Sequence, residues 1–195
     1  MFTGIVQAVG RVRSLENGRL VIDAPPSFRP TELGESVAVN GCCLTAIELS
    51  DGLHFELSEE TLARTALATL APRSLVNLER AATLATLFGG HIVQGHVDCT
   101  GTLVAVTPQE GSTVYAFQAP VEYDRYLIDK GSITVDGVSL TVVEPHAGRF
   151  DTWLIPHTLQ NTHLHSLSPG ARVNLEFDVI AKHVEKLLTQ RKSNH

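Results

Sequence analysis

The stretch "VNGCCLT" at residues 39–45 returns as "VDGVSLT" at 135–141. This near-repetition restricts the possible folds more than any other feature of the chain, because self-similarity at a fixed shift means one folding unit used twice. It is not isolated. "ETLARTALATLAPRSLVNLE" (60–79) aligns without gaps on "HTLQNTHLHSLSPGARVNLE" (157–176) at a shift of 97, with ten identical positions out of twenty. "AVNGCCLTAIE" aligns on "TVDGVSLTVVE" at a shift of 96, and "TGIVQAVG" on "QGHVDCTG" at a shift of 91. The shift drifts only across "SLENGRLVIDAPPSFRPTELG" and "VTPQEGSTVYAFQAPVEYDRYLIDKG", where loops would absorb insertions. Residues 1–90 and 91–178 therefore read as two copies of one module, each long enough to bury its own core. Residues 179–195 stand outside the repeat.

Within each copy the local signals are mostly β. "SVAVNGCCLTAIEL" and "SITVDGVSLTVVEP" are rich in β-branched residues and are broken at Asn40-Gly41 and Asp136-Gly137, dipeptides that favour a tight hairpin. "DGLHFELS" and "GRFDTWLIP" alternate as following strands, and "VNLE" reads as a strand in both copies. Short helices fit "EETLARTAL" and "PHTLQNTHL". Many short strands with regular turns predict a small closed antiparallel barrel per module. In the tail, Ile180, Val184, Leu187 and Leu188 follow the spacing of one helical face. That apolar stripe is expected to pack on another subunit in preference to its own chain.

Several function classes are excluded early. A net charge of -6 without a dense Lys/Arg stripe argues against a nucleic-acid partner. No apolar run approaches the roughly 20 residues of a bilayer span, and "MFTGIVQAVGRV" has neither the basic nor the apolar region of a signal peptide. No membrane association is expected, and the chain is assigned to the cytoplasm. Cys42, Cys43 and Cys99 lack any C-x-x-C spacing and read as reduced thiols.

Both modules need the same core, so positions that differ in chemistry between them carry the functional information. Cys43 faces Ser139, Ile5 faces His96, and Ala81 faces Asp178. Side chains two apart in a strand share a face, so Cys43 sits beside Thr45, and Ser139 beside Thr141. Each position also has a plainer reading. A lone Cys is often simply buried, Asp178 is equally well placed to cap the tail helix, and His91 with His96 would fall on opposite faces of a strand. The last point argues against a metal site.

Taken together, "MFTGIV", "VNGCCLT", "ERA", "GGHIVQGHVD", "KGSITVDGVSLTV", "LIPHTL" and "VNLEFDVIAKHVEKL" resemble the riboflavin synthase alpha-chain family over residues 1 to about 190. The resemblance implies an all-β fold of two tandem six-stranded Greek-key barrels (1–90 and 91–178) with a C-terminal α-helix (179–195) that joins a homotrimer. It implies a substrate, 6,7-dimethyl-8-ribityllumazine, two molecules of which become one riboflavin and one 5-amino-6-ribitylamino-uracil. No metal or organic cofactor is implied, and an association with lumazine synthase is. By resemblance, Gly4, Ile5, Val6, Cys43, Leu44 and Thr45 line the N-terminal pocket with Glu56, Leu57, Ser58, Glu59, Glu60 and Thr61. Gly95, His96, Val97, Lys130, Ser139, Leu140 and Thr141 line the other with Trp153, Leu154, Ile155, Pro156, His157 and Thr158.

The catalytic expectation is that Cys43 polarises or adds to one lumazine. Ser139 with Asp178 orients or deprotonates at the second site, and His96 shuttles a proton. The competing expectation is a lumazine- or flavin-binding antenna protein on the same fold. Such paralogues generally lack a polar set like Cys43, His96, Ser139 and Asp178.

Overall fold

The computed structural model describes residues 1–28 and 32–192. The first module contains β1 (Ala8–Glu16), β2 (Arg19–Asp23), β3 (Ser36–Val39), β4 (Cys42–Glu48), β5 (Leu53–Glu56) and β6 (Leu75–Arg80), with α1 (Glu59–Arg64) between β5 and β6. All pairings are antiparallel. The order β1-β2-β5-β4-β3-β6 closes through β6 against β1, which gives the expected six-stranded barrel.

The second module contains β7 (Cys99–Gln109), β8 (Ser112–Gln118), β9 (Ser132–Val135), β10 (Val138–Thr141), β11 (Val143–His146), β12 (Arg149–Leu154) and β13 (Arg172–Phe177), with α2 (Pro156–Asn161) before β13. Here the six expected strands appear as seven segments, because one strand is split. The sheet has seven, in the order β10-β9-β13-β7-β8-β12-β11. The counterpart of β4 is interrupted at Val142, and Glu144 beyond the break is left-handed at φ 49°. Its two halves, β10 and β11, end the sheet on opposite sides, so the strand order matches that of the first module once they are read as one. The variable-shift region also differs from expectation. It is not only loop, since the β7–β8 hairpin runs through it.

Both interiors are filled. Val12, Leu20, Ile22, Val37, Val39, Phe55 and Leu78 pack the first, and Leu103, Phe117, Ile133, Val135, Phe150 and Leu175 the second. Phe117 and Phe150 stack there at 5.5 Å. A small barrel filled by its own side chains has no room for a ligand inside.

The modules meet across a pseudo-twofold axis at the two tight turns. Asn40 and Gly41 have φ 44° and 75°, and Asp136 and Gly137 have φ 45° and 78°, the paired positive values of a type I′ hairpin. The turns lie back to back, and a Cβ on either glycine would stand 2.7 Å from the other glycine's nitrogen. Around them, buried Asn77 donates its Nδ2 to Asp136 O and buried Asn174 donates its own to Asn40 O, at 2.9 and 2.8 Å. Asn77 Oδ1 accepts from His163 N, and Asn174 Oδ1 from Ala66 N. Every half of this lattice is answered by the other module.

The C-terminal helix, α3 (Val179–Lys192), is as expected up to residue 192; 193–195 lie outside the described residues. Its Lys182 pairs with Asp98 at 2.8 Å, and Glu185 meets Arg125 and Tyr126. Ile180, Val184, Leu187 and Leu188 remain exposed. Among the described residues no helix is long and apolar enough to cross a membrane.

Asn174→Ala leaves Asn40 O and Ala66 N without their side-chain partners, and is expected to cost about 2–3 kcal/mol in denaturant unfolding. The same change at exposed Gln160 should stay within about 0.5 kcal/mol.

Candidate functional site

The positions singled out by comparing the copies lie on the outside of the barrels. Along β4, Cys42 and Leu44 turn into the core while Cys43 and Thr45 turn out, and along β10 Val138 and Leu140 turn in while Ser139 and Thr141 turn out. The expected face-sharing pairs are therefore present. Of the other expected lining residues, Leu44, Leu57, Leu140 and Leu154 spend their side chains on the cores and can offer only backbone to a ligand. The core-facing thiols Cys42 and Cys99 are pushed up to about 12 by burial, so the partly exposed thiol is Cys43.

The grouping of the pockets needs correcting, because the segments ahead of the barrels cross over. Cys43 N donates to Gly95 O at 2.8 Å, and Ser139 N donates to Gly4 O at 2.8 Å. Gly4 and Ile5 thus belong beside Ser139, and Gly95 and His96 beside Cys43. Val6 packs against the second module's core and Val97 against the first. The crossing segments also bridge each other, with Phe2 N on Val93 O at 2.7 Å and Val93 N on Phe2 O at 3.1 Å. A Cβ on Gly4 would lie 2.6 Å from Ser139 Cβ, and one on Gly95 2.6 Å from Cys43 Cβ, so only glycine fits at either crossing.

The remaining expected residues, Lys130 apart, lie on the strands next to Cys43 and Ser139 and on the short helices that follow them. The β4–β5 register, Ala46 opposite Phe55, carries Thr45 toward exposed Glu56. Beyond it Ser58 caps α1 by accepting from Thr61 N at 3.1 Å, with Glu59 and Glu60 exposed. In the second module Val143 opposite Asp151 carries Thr141 toward Trp153. Trp153, Ile155 and Ile5 are apolar and stand 55%, 55% and 46% exposed; Ile5 follows the Gly4 that bonds Ser139 N, and Trp153 is on β12, which lies against β10. Pro156 starts α2 with exposed His157 and half-buried Thr158. Lys130 is exposed at the loop before β9, its N–H on Val142 O at 2.8 Å.

One residue that this comparison missed is in contact with the site. His91 Nδ1 lies 2.8 Å from Ser139 Oγ. The stretch around it is not a strand; Gly89 and Gly90 lead into it, and His91 N bonds Thr3 O. Burial lowers the His91 pKa, against the pull of the Asp178 charge. A neutral imidazole accepts from the Ser139 hydroxyl, the arrangement of a general base. The copy-to-copy comparison had no access to His91, because a shift of 91 places its counterpart ahead of residue 1. Asp178 caps α3, accepting from Ile180 N at 2.8 Å, and its charge opposes the lowering of the His91 pKa.

Among the described residues, Glu48, Asp51 and His54 bring two carboxylates and an imidazole together, but Arg19 bonds Glu48 and Arg13 bonds Asp51. The cluster reads as an ion-pair network on the first barrel's surface.

Two filled barrels, each presenting an unlike polar pair on its outer face, define a duplicated small-ligand module. The family model described as lumazine binding domain matches residues 3–81 and again 94–178. A riboflavin synthase of Mycobacterium bovis is 48% identical, covering 96% of this chain and 98% of its own. One from Actinobacillus pleuropneumoniae is 42% identical over 98% of this chain and 91% of its own. Among solved structures, a LumP complexed with riboflavin superimposes with a TM-score of 0.85 at 25% identity, over 91% of this chain and 99% of that one. The chain belongs to the riboflavin synthase family.

The His91 resonance is expected to titrate below the ordinary histidine value of about 6.5. Because the folded value is the lower one, its contribution to stability is present above about 6.5 and is lost as pH falls through the folded value. Imidazole NMR against pH measures the first, and His91→Gln should remove that part of the acid dependence of unfolding.

Proposed function

We propose that this chain is a riboflavin synthase that converts two molecules of 6,7-dimethyl-8-ribityllumazine into riboflavin and 5-amino-6-ribitylamino-uracil by transferring a four-carbon unit. The observation that carries this reading is that a duplicated frame presents two equivalent shelves with unlike chemistry. One holds Cys43 with His96, the other Ser139 with His91. A reaction between two identical molecules needs that combination: the same shape twice, and different reactivity, so that one gives and the other receives.

The two products together contain the atoms of two substrates, so the dismutation calls for no outside oxidant or reductant. Holding two rings face to face removes up to roughly 7–11 kcal/mol of the barrier through orientation. The 7-methyl proton of the lumazine is acidic because its anion delocalises into the ring. His91, neutral and bonded to Ser139, is the group placed to take that proton directly or through the hydroxyl. Cys43 polarises or adds to the partner lumazine from the other shelf, with exposed His96 beside it as proton carrier. Lys130, Trp153 and the Ile155–Thr158 segment border the Ser139 ligand, and Glu56–Thr61 borders the Cys43 ligand.

The active form in this reading is a cytoplasmic homotrimer. Support comes from the exposed stripe on α3 and the exposed apolar residues Ile5, Trp153 and Ile155, which a neighbouring subunit would cover.

Mixing the protein with the lumazine alone should replace its fluorescence with that of riboflavin. Bound but unconverted lumazine would point to the antenna reading. Ser139→Ala and Cys43→Ser should each slow single-turnover conversion by about 10²-fold, and unchanged rates would remove both from the mechanism.

A further inference from the structure

Two buried glutamates occupy equivalent places at the ends of β6 and β13, and each holds the crossing segment that follows the repeat's symmetry rather than its own site. Glu79 is 4% exposed and Glu176 2%. Glu79 Oε1 accepts from Thr3 N at 2.7 Å and from Thr3 Oγ1 at 2.8 Å, and Oε2 from Gly4 N at 3.0 Å. Glu176 Oε1 accepts from Gln94 N at 2.7 Å, and Oε2 from Gly95 N at 2.9 Å and His96 N at 3.0 Å.

Each carboxyl therefore sits in a nest of consecutive backbone N–H groups, shaped by a left-handed glycine, Gly4 at φ 76° and Gly95 at φ 78°. Burial pushes both carboxyls above the usual range, while the N–H donors pull the other way. Both oxygens act as acceptors, a pattern glutamine cannot reproduce because half of its amide is a donor.

On one side the nest holds the very peptide that meets the site, since Glu176 takes the His96 N–H and the same peptide's Gly95 carbonyl faces Cys43; on the other, Glu79 holds the Thr3 and Gly4 N–H groups, one peptide ahead of the Gly4 carbonyl that faces Ser139. With Thr3 and Gly4 held by Glu79 and Gly4 fixed at φ 76°, the Gly4 carbonyl is aimed at Ser139 N; with the His96 N–H held by Glu176, the Gly95 carbonyl of that peptide is aimed at Cys43 N. We infer that Glu79 and Glu176 are positioning residues wired across the pseudo-twofold. Glu79 of the first module sets the Ser139 shelf of the second, and Glu176 of the second sets the Cys43 shelf of the first. This rests on the functional reading above, since it concerns how those shelves bind their lumazines.

The chain carries a natural reporter in each shelf. Its single tryptophan, Trp153, stands exposed on the outer face of β12, which lies against the Ser139 strand β10, and Cys43 is its partly exposed thiol, with Cys42 and Cys99 buried. The probe is a 7-oxo-8-ribityllumazine, which has no 7-methyl proton to lose and so binds without reacting. Its binding is followed by Trp153 quenching and by protection of Cys43 from a thiol reagent.

Glu79→Gln should raise the probe concentration for half-quenching about tenfold, as expected for loss of hydrogen bonds to a charged group, and leave Cys43 protection unchanged. Glu176→Gln should do the reverse. A purely structural role would move both reporters together, and that result overturns the inference, as would each variant disturbing the reporter of its own module. If the glutamine variants do not fold, Thr3→Ala removes one bond to Glu79 and should produce a smaller shift in Trp153 quenching alone; a shift in Cys43 protection overturns the wiring. Silence of both reporters in the unmodified protein would instead refute the functional reading itself.

Discussion

The contact between the Asn40-Gly41 and Asp136-Gly137 turns governs the rest of the molecule. Two type I′ hairpins can touch tip to tip only if both inner corners lack a side chain, and here each glycine nitrogen occupies the space a Cβ on the other would need. With the tips in register, the amides of Asn77 and Asn174 reach the opposing turn carbonyls, and the crossing segments reach the opposite barrels. Buried amides with both ends satisfied specify one arrangement, because a slip of the modules would leave several polar groups without partners. Apolar packing alone would tolerate sliding.

The frame is symmetric, but its chemistry is not. On the axis itself, Asn40 is answered by Asp136 and Ala66 by His163, and the two second-module residues make a buried contact of their own, His163 Nε2 to Asp136 Oδ2 at 3.0 Å. Closer to the shelves, Ile5 is answered by His96 and Cys43 by Ser139. Divergence has left hydrogen-bonded glycines, asparagines and glutamates alike in both copies and altered the side chains that face outward or line the axis.

Much of this was legible in the sequence. The repeat, the hairpin turns, the helix stripe and the outward pairing of Cys43 with Thr45 follow from periodicities that act over a few residues. The partition of the pockets did not follow. Assigning Gly4 to Cys43 assumes that a segment serves the barrel it leads into, and the exchange of leading segments between modules is a long-range pairing that no local pattern records. His91 escaped for a related reason: its role depends on a two-glycine approach to a strand 48 residues away. The break at Val142 was not legible either, since "SLTVVEP" reads as a continuous strand, whereas the structure turns Glu144 left-handed at φ 49°.

Because each barrel is packed solid with its own side chains, whatever it grips must be held on its skin. Residues there are anchored by a scaffold that does not rely on them for cohesion, so they can be exchanged at little thermodynamic cost. That separation gives evolution latitude: the same casing can be kept while the surface chemistry is rewritten, once per copy and independently.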